Sequence, residues 1–203
     1  LFEASVGGGI PIIKALREGL CANRIERIYG ILNGTCNYIL TRMEEEKLPF
    51  AEVLKAAQAA GYAEAEPSLD IDGHDTAHKA AVLASLAYGG HVPLAKIRVT
   101  GIRHLAAADI AYAAEMGYRI KLLAIIQGDA NGIEVSVQPT LVAHSHQLAA
   151  VGGVFNAVLV QGDAVGTTLY YGRGAGRAAT ASAVVADLAD AALNLQAGGR
   201  RRD

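Results

Sequence analysis

GYAEAEPSLDIDGHDTAHKAAVLASLAYG, residues 61–89, joins two halves of opposite character. The first is an acidic loop, with Glu64, Glu66, Asp70 and Asp72 punctuated by Gly61 and Pro67. The second reads as a helix. Asp72 is placed to cap it, because a side-chain carboxylate can accept from the first free backbone N–H groups. Gly89 and Gly90 stop it. Asp75 and Lys79 stand four apart and so share a face. Residues 80–87 are apolar all round except Ser85, the pattern of a buried helix. A lysine therefore sits where a buried helix meets a field of carboxylates, and burial and charged neighbours are the two levers that tune acid–base groups. The same spacing also fits a solvated ion pair of little energetic weight.

Outward from this stretch toward the N-terminus, residues 1–6 read as a strand and Gly7, Gly8 and Gly9 as a turn. Pro11 opens a helix reaching about residue 19, with Ile12, Ile13, Leu16 and Leu20 as its buried stripe. Residues 25–32 read as a strand. Asn33, Gly34 and Thr35 form a turn, with Thr35 placed to cap a helix over 36–46, and Pro49 opens a helix over 50–60. Toward the C-terminus the spacing predicts a short strand at 97–102, a helix at 106–116, strands at 120–127, 133–141, 154–161 and 167–171, a short helix at 147–151 and a long helix at 178–195. Gly128, Asp129, Asn131 and Gly132 mark a hairpin turn. Helices first, then strands without βαβ alternation, predict an α+β fold: a largely antiparallel open sheet backed by helices.

Hydrophobic residues make up 52% of the 203 and charged residues 19%, which favours a sizeable core over disorder. A formal charge of −2, with no basic stripe, leaves no footprint for nucleic acid. Cys21 and Cys36 form no CxxC pattern, so a reducing, cytoplasmic setting is the default. No apolar run reads as a membrane span, and none follows a basic leader. Arg200, Arg201 and Arg202 read as a frayed tail, and the start at Leu1 without Met suggests that residues precede it.

Three other patterns carry chemistry. His74 and His78, four apart on a helix, could share a metal as in HExxH, although Asp75 replaces the glutamate and a third ligand must come from elsewhere. A metal-dependent hydrolase is therefore an alternative reading, and a non-catalytic oligomerisation module is another. His144 and His146 read as a surface loop. Gly172, Gly174 and Gly176 lie between a strand and a helix, where glycines let backbone approach a phosphate, but the spacing falls short of a dinucleotide fingerprint. Glu3, followed by a bare glycine turn, could offer oxygen ligands to a hard cation.

Four segments, in order, resemble the homoserine dehydrogenase family: EASVGGGIPII at 3–13, GILNGTCNYIL at 30–40, the stretch at 61–89, and GRGAGRAATASAV at 172–184. The resemblance implies interconversion of L-aspartate-4-semialdehyde and L-homoserine with NADP or NAD, on the route to threonine and methionine. It implies that Lys79 carries the substrate's proton with Asp75 orienting it. Glu64 would hold the substrate's ammonium, with Asp70, Gly34 and Thr35 completing the substrate site. Gly174, Ala175 and Gly176 would meet the cofactor. Glu3, with the carbonyls of Val6, Gly8 and Ile10, would hold sodium. It further implies a homodimer formed through the sheet, and a division at residue 171: a substrate-binding and dimerisation domain at 1–171, then a segment at 172–203 that packs on a Rossmann-type nucleotide domain. That domain and the regulatory domain many members carry are not among these residues, so turnover is expected to need the former. Ala179 stands where the family usually has Pro, and Glu66 where Asp is common.

Overall fold

The computed structural model describes residues 1–129, 132–196 and 198. Asn131 of the expected hairpin turn and the arginines at 200–202 lie outside them. Six strands form one sheet in the order β2-β4-β3-β1-β5-β6. They are β1 (Ile25–Ile31), β2 (Arg98–Val99), β3 (Tyr118–Asp129), β4 (Gly132–Ala143), β5 (Phe155–Gly162) and β6 (Gly166–Arg173). All neighbours are antiparallel except β2, which runs parallel to β4. The expected α+β architecture is thus observed.

The helices are α1 (Ile12–Lys14), α2 (Gly34–Glu46), α3 (Phe50–Ala59), α4 (Ser68–Ile71), α5 (His74–Tyr88), α6 (Ala107–Glu115) and α7 (Arg177–Gln196). One face of the sheet packs on them. Ile28, Leu122, Ala124, Ile126, Val135, Val137, Val158 and Val160 share a buried cluster with Ile39 and Leu40 of α2 and Ala80 and Leu83 of α5. The small residues of α5 let it lie close, and Gly128 accommodates it: a Cβ there would fall 2.5 Å from the Tyr88 ring. The opposite face carries a separate cluster that includes Tyr29, Ile31, Leu123, Ile125, Ala157 and Leu159.

Several local expectations are corrected. Residues 1–6 are not a strand; a short 3-10 turn, Glu3–Ser5, stands there. Glu3 is buried and its two carboxylate oxygens accept from Ile13 N (2.8 Å) and Lys14 N (2.9 Å), so it caps α1 from a distance. The helix expected over 11–19 is α1 followed by a wider π turn at Ala15–Gly19. The strand at 97–102 shrinks to Arg98–Val99, because Ile102 N turns to Ile71 O (2.8 Å).

Asp72 does not cap α5. It ends α4, and Arg103 donates to both its carboxylate oxygens at 2.7 Å. This ion pair holds the Asp72 carboxyl below its ordinary range. The residue before α5 is Gly73, at φ +87°, a left-handed conformation that an L side chain rarely adopts. Gly89, at φ +69°, closes α5 as read. Thr35 does not cap α2: Asn33 does, its side chain accepting from Cys36 N at 2.8 Å.

Helix α7 also corrects the reading that no segment matches a span. Its 20 residues are long and apolar enough to cross a membrane, by length and composition only. Here it docks along its acidic side, where Asp187 accepts from Glu3 N (2.9 Å) and Asp190 pairs with Lys14 (2.6 Å). Val184, Val185, Leu188 and Leu195 are left exposed.

Candidate active site

The acidic loop, the end of β1 and the first turn of α5 converge on one polar chain. Lys79 Nζ donates to Asp75 Oδ2 at 2.7 Å and to Leu32 O, just past the end of β1, at 3.1 Å. The lysine and aspartate side chains keep 24% and 22% of their surface, so the pair is sheltered yet reachable. Asn33 Nδ2 then donates to Asp75 Oδ2 (2.8 Å) and Asp70 Oδ1 (2.7 Å). With Asn33 Oδ1 capping α2, this one side chain fixes two carboxylates and a helix start together. The order Asp70–Asn33–Asp75–Lys79 is continuous in space.

Gly34 and Thr35 occupy the turn at the head of α2. Thr35 Oγ1 donates to Tyr62 O at 2.7 Å, and the Tyr62 and Tyr38 rings lie 4.6 Å apart, so the acidic loop is tied to α2. Gln58 Nε2 donates to the carbonyls of Glu64 (3.0 Å) and Ala65 (3.3 Å), which fixes the backbone there. The Glu64 side chain itself is exposed, and among the described residues no hydrogen bond joins it to the chain of Lys79. Cys36 lies beneath with its Sγ on Asp70 O (3.2 Å). Burial, then the charges of Asp70 and Asp75, push its thiol well above the ordinary range, so it stays protonated and is no nucleophile. The acids here outnumber the lysine, which favours a ligand with its own positive charge.

The glycine turn at 172–176 approaches from the other side. A Cβ on Gly8 would fall 2.4 Å from Gly174 O, and Gly9 N donates to Arg173 O at 3.0 Å. Segment 3–13 therefore packs on this turn through bare backbone. The first intrahelical bond of α7 runs from Thr180 N to Gly176 O (2.9 Å), and the N–H groups preceding it make no backbone bond among the described residues, which leaves them able to meet an anion.

His74 and His78 are exposed, and no group of three or more His, Cys, Asp or Glu is placed to hold a metal among the described residues. The third ligand that the hydrolase reading needs does not come from them. His144 and His146 are exposed, with His146 Nδ1 accepting from Leu148 N at 3.2 Å.

Asn33 and Asn156 are the side chains that sequence reading missed. Asn33 carries a signal in hindsight, since an asparagine just before a glycine and a helical run is a good N-cap. Its bonds to residues 37 and 42 positions away carry none. Asn156 is 1% exposed and its Oδ1 has no hydrogen-bond partner among the described residues.

Comparison with known proteins bears on this site as a whole. The model of the family described as homoserine dehydrogenase matches residues 11–189. The chain is 56% identical over 196 residues to a homoserine dehydrogenase of Neisseria gonorrhoeae, covering 97% of this chain and 45% of that protein. It is 50% identical to one of Bacillus subtilis, covering 97% and 46%. It thus spans about half the length of the curated relatives it matches. Among solved structures, a homoserine dehydrogenase from Thiobacillus denitrificans superposes with a TM-score of 0.96 at 54% identity, covering 99% of this chain and 47% of that one. A hyperthermophilic archaeal homoserine dehydrogenase mutant in complex with NADPH gives 0.81 at 32% identity, covering 95% and 55%.

Proposed function

Because the chain belongs to the homoserine dehydrogenase family, we propose that it forms the substrate-binding half of an NAD(P)-dependent oxidoreductase interconverting L-homoserine and L-aspartate-4-semialdehyde. The observation that carries the reading is the bonded chain Asp70–Asn33–Asp75–Lys79 beside the head of α2.

Oxidising a primary alcohol to an aldehyde removes a hydride from carbon and a proton from oxygen. Hydride exchange is the chemistry a nicotinamide supplies when bound. The proton falls to this chain. Lys79, as a neutral amine, takes it from the substrate hydroxyl; in reduction, its ammonium returns it to the oxygen as negative charge develops there. Asp75 orients Nζ and offsets its charge, and Leu32 O fixes the direction of approach. Glu64 and Asp70 receive the substrate's ammonium, and the turn of Gly34 and Thr35 its remaining polar groups.

Gly174, Ala175 and Gly176, with the free N–H groups at the start of α7, fit the phosphates of NADP or NAD. The apolar stripe of Val184, Val185, Leu188 and Leu195 is the face on which a nucleotide domain docks, so that residues 172–203 serve that domain and residues 1–171 the substrate. Glu3 and the carbonyls of Val6, Gly8 and Ile10 form an oxygen-only set that suits sodium. Among the described residues no backbone N–H donates to the carbonyls of Val6 or Gly8, whereas Ile10 O accepts from Ile12 N. The open face of the sheet is the surface of a homodimer, and synthesis of threonine, methionine and isoleucine in the cytoplasm is the setting this reaction serves.

The test is NAD(P)H formation with L-homoserine by the full-length protein, as wild type and Lys79→Ala. The expected result is activity that falls by about 10²- to 10⁴-fold in the variant, the usual weight of a positioned acid–base group. Wild-type protein inactive with both cofactors overturns the proposal.

A further inference from the structure

Asn156, the second residue of β5, lies opposite Gly172 of β6. Its side chain is wedged between the two turns on which the proposed reaction depends. On one side lies the cofactor-side turn: a Cβ on Gly174 would fall 2.1 Å from Asn156 Cγ and Nδ2 and 2.4 Å from Oδ1. On the other lies the substrate-side turn: a Cβ on Gly34 would fall 3.6 Å from Asn156 Oδ1 and 2.8 Å from Val154 O. Gly8 closes the stack behind Gly174 O. Segments 3–13, 30–40 and 172–176 thus meet through glycine backbone, with one carboxamide between them.

That carboxamide is 1% exposed and its buried Oδ1 has no partner among the described residues. A buried polar atom left unpaired costs free energy that an apolar side chain would not incur. The polar group is therefore poorly explained by packing alone. Its position at the seam gives the explanation: the thickness of the flat carboxamide sets how far the two turns stand apart.

We propose that Asn156 is a positioning residue for hydride transfer, spacing the Gly34 and Thr35 turn against the Gly174 turn so that substrate carbon and nicotinamide meet at reacting distance. This rests on the dehydrogenase reading above. Hydride transfer is sensitive to such placement, since an error of about 1 Å can cost about a hundredfold in rate.

The experiment uses the full-length protein as wild type, Asn156→Leu, Asn156→Ala, Gly174→Ala and Lys79→Ala. Homoserine oxidation is measured with substrate carrying hydrogen or deuterium at the hydroxyl-bearing carbon, and thermal unfolding is followed in parallel. The expected result is that Asn156→Leu, which keeps the number of side-chain heavy atoms but is thicker than the flat carboxamide, loses about ten- to a hundredfold in kcat, with KM for homoserine changed by less than about threefold. Its deuterium isotope effect on kcat rises, and its melting temperature stays near wild type. Gly174→Ala, which pushes the same seam apart, reproduces the raised isotope effect. If Asn156→Ala does not fold, Asn156→Leu and Gly174→Ala decide. Wild-type kcat and isotope effect in folded Asn156→Leu, alongside an inactive Lys79→Ala, overturn the spacer role and leave the dehydrogenase reading standing. Inactive wild type overturns both.

Discussion

Lys121 shows how strongly one buried residue can bind distant parts of this chain. It is 2% exposed, and its Nζ donates to Val151 O (2.6 Å) and Asn37 Oδ1 (3.2 Å). Asn37 in turn donates to the carbonyls of Val151, Gly153 and Phe155, so the two side chains anchor the loop that leads to Asn156. Burial pushes the Lys121 pKa down to about 8, against the pull of Glu44 and Glu45 and with the help of Arg119. Between that value and the ordinary one of 10.5 the unfolded chain holds a proton that the folded chain has released. Stability from this group therefore rises with pH across that window and is lost as pH falls toward 8, on the order of 3 kcal/mol in full. In Lys121→Met this slope should vanish, so the stability of wild type relative to the variant, measured by urea unfolding, should grow between pH 8 and pH 10. A difference independent of pH would contradict it. At this scale the sequence was legible where partners are near. Asp75 and Lys79 are paired by a four-residue spacing. Asn33, Asn156 and Lys121 were not legible, because their surroundings come from strands and turns brought together by the fold.

Elements were legible where hydrophobic period and glycine punctuation agree. Strands β3 to β6 and helices α2, α3, α5, α6 and α7 lie within a few residues of their predicted bounds. The failures share a cause, a tertiary bond overriding a local signal. Residues 1–6 are apolar enough for a strand, yet Glu3 leaves any ladder to cap α1. Asp72 has the chemistry of an N-cap, yet Arg103 takes both its oxygens. Residues 97–102 cannot run on as a strand, because Gly101 lies against the end of α4: a Cβ there would fall 2.1 Å from Ile71 O. The open face of the sheet is where element and assembly meet. Leu169 and Tyr171 of β6 lie beside Leu159 and Ala157 of β5 and are 38% and 55% exposed. They extend the apolar cluster at Tyr29, Leu123 and Ile125 to the sheet edge. If this face joins two copies, Leu169→Asp with Tyr171→Asp should convert a dimer to a monomer in sedimentation while leaving the circular dichroism spectrum unchanged. A dimer of undiminished stability in the double variant would place the interface elsewhere.

At the scale of the whole molecule, the fold brings three glycine-bearing segments, far apart in sequence, to one end of the sheet. β1 delivers Leu32 and Asn33, α5 delivers Asp75 and Lys79, and β6 delivers the turn at Gly174. The acidic loop at residues 61–72 is braced from both sides, by Thr35 and Gln58 toward α2 and α3 and by Arg103 toward β2. Rigid elements thus hold the proposed proton carrier, Lys79, while the loop that would meet the substrate's charge remains open to solvent. In the proposed reaction Lys79 faces the reacting oxygen of a small zwitterion whose ammonium lies among the carboxylates. The most direct measurement is a crystal structure of the full-length protein with L-homoserine and a nicotinamide cofactor. The substrate hydroxyl is expected within hydrogen-bond reach of Lys79 Nζ, about 3 Å, with the ammonium on Glu64 and Asp70. Homoserine bound with its hydroxyl turned away from Lys79, or bound outside the Asp70–Asn33–Asp75–Lys79 chain, would contradict it.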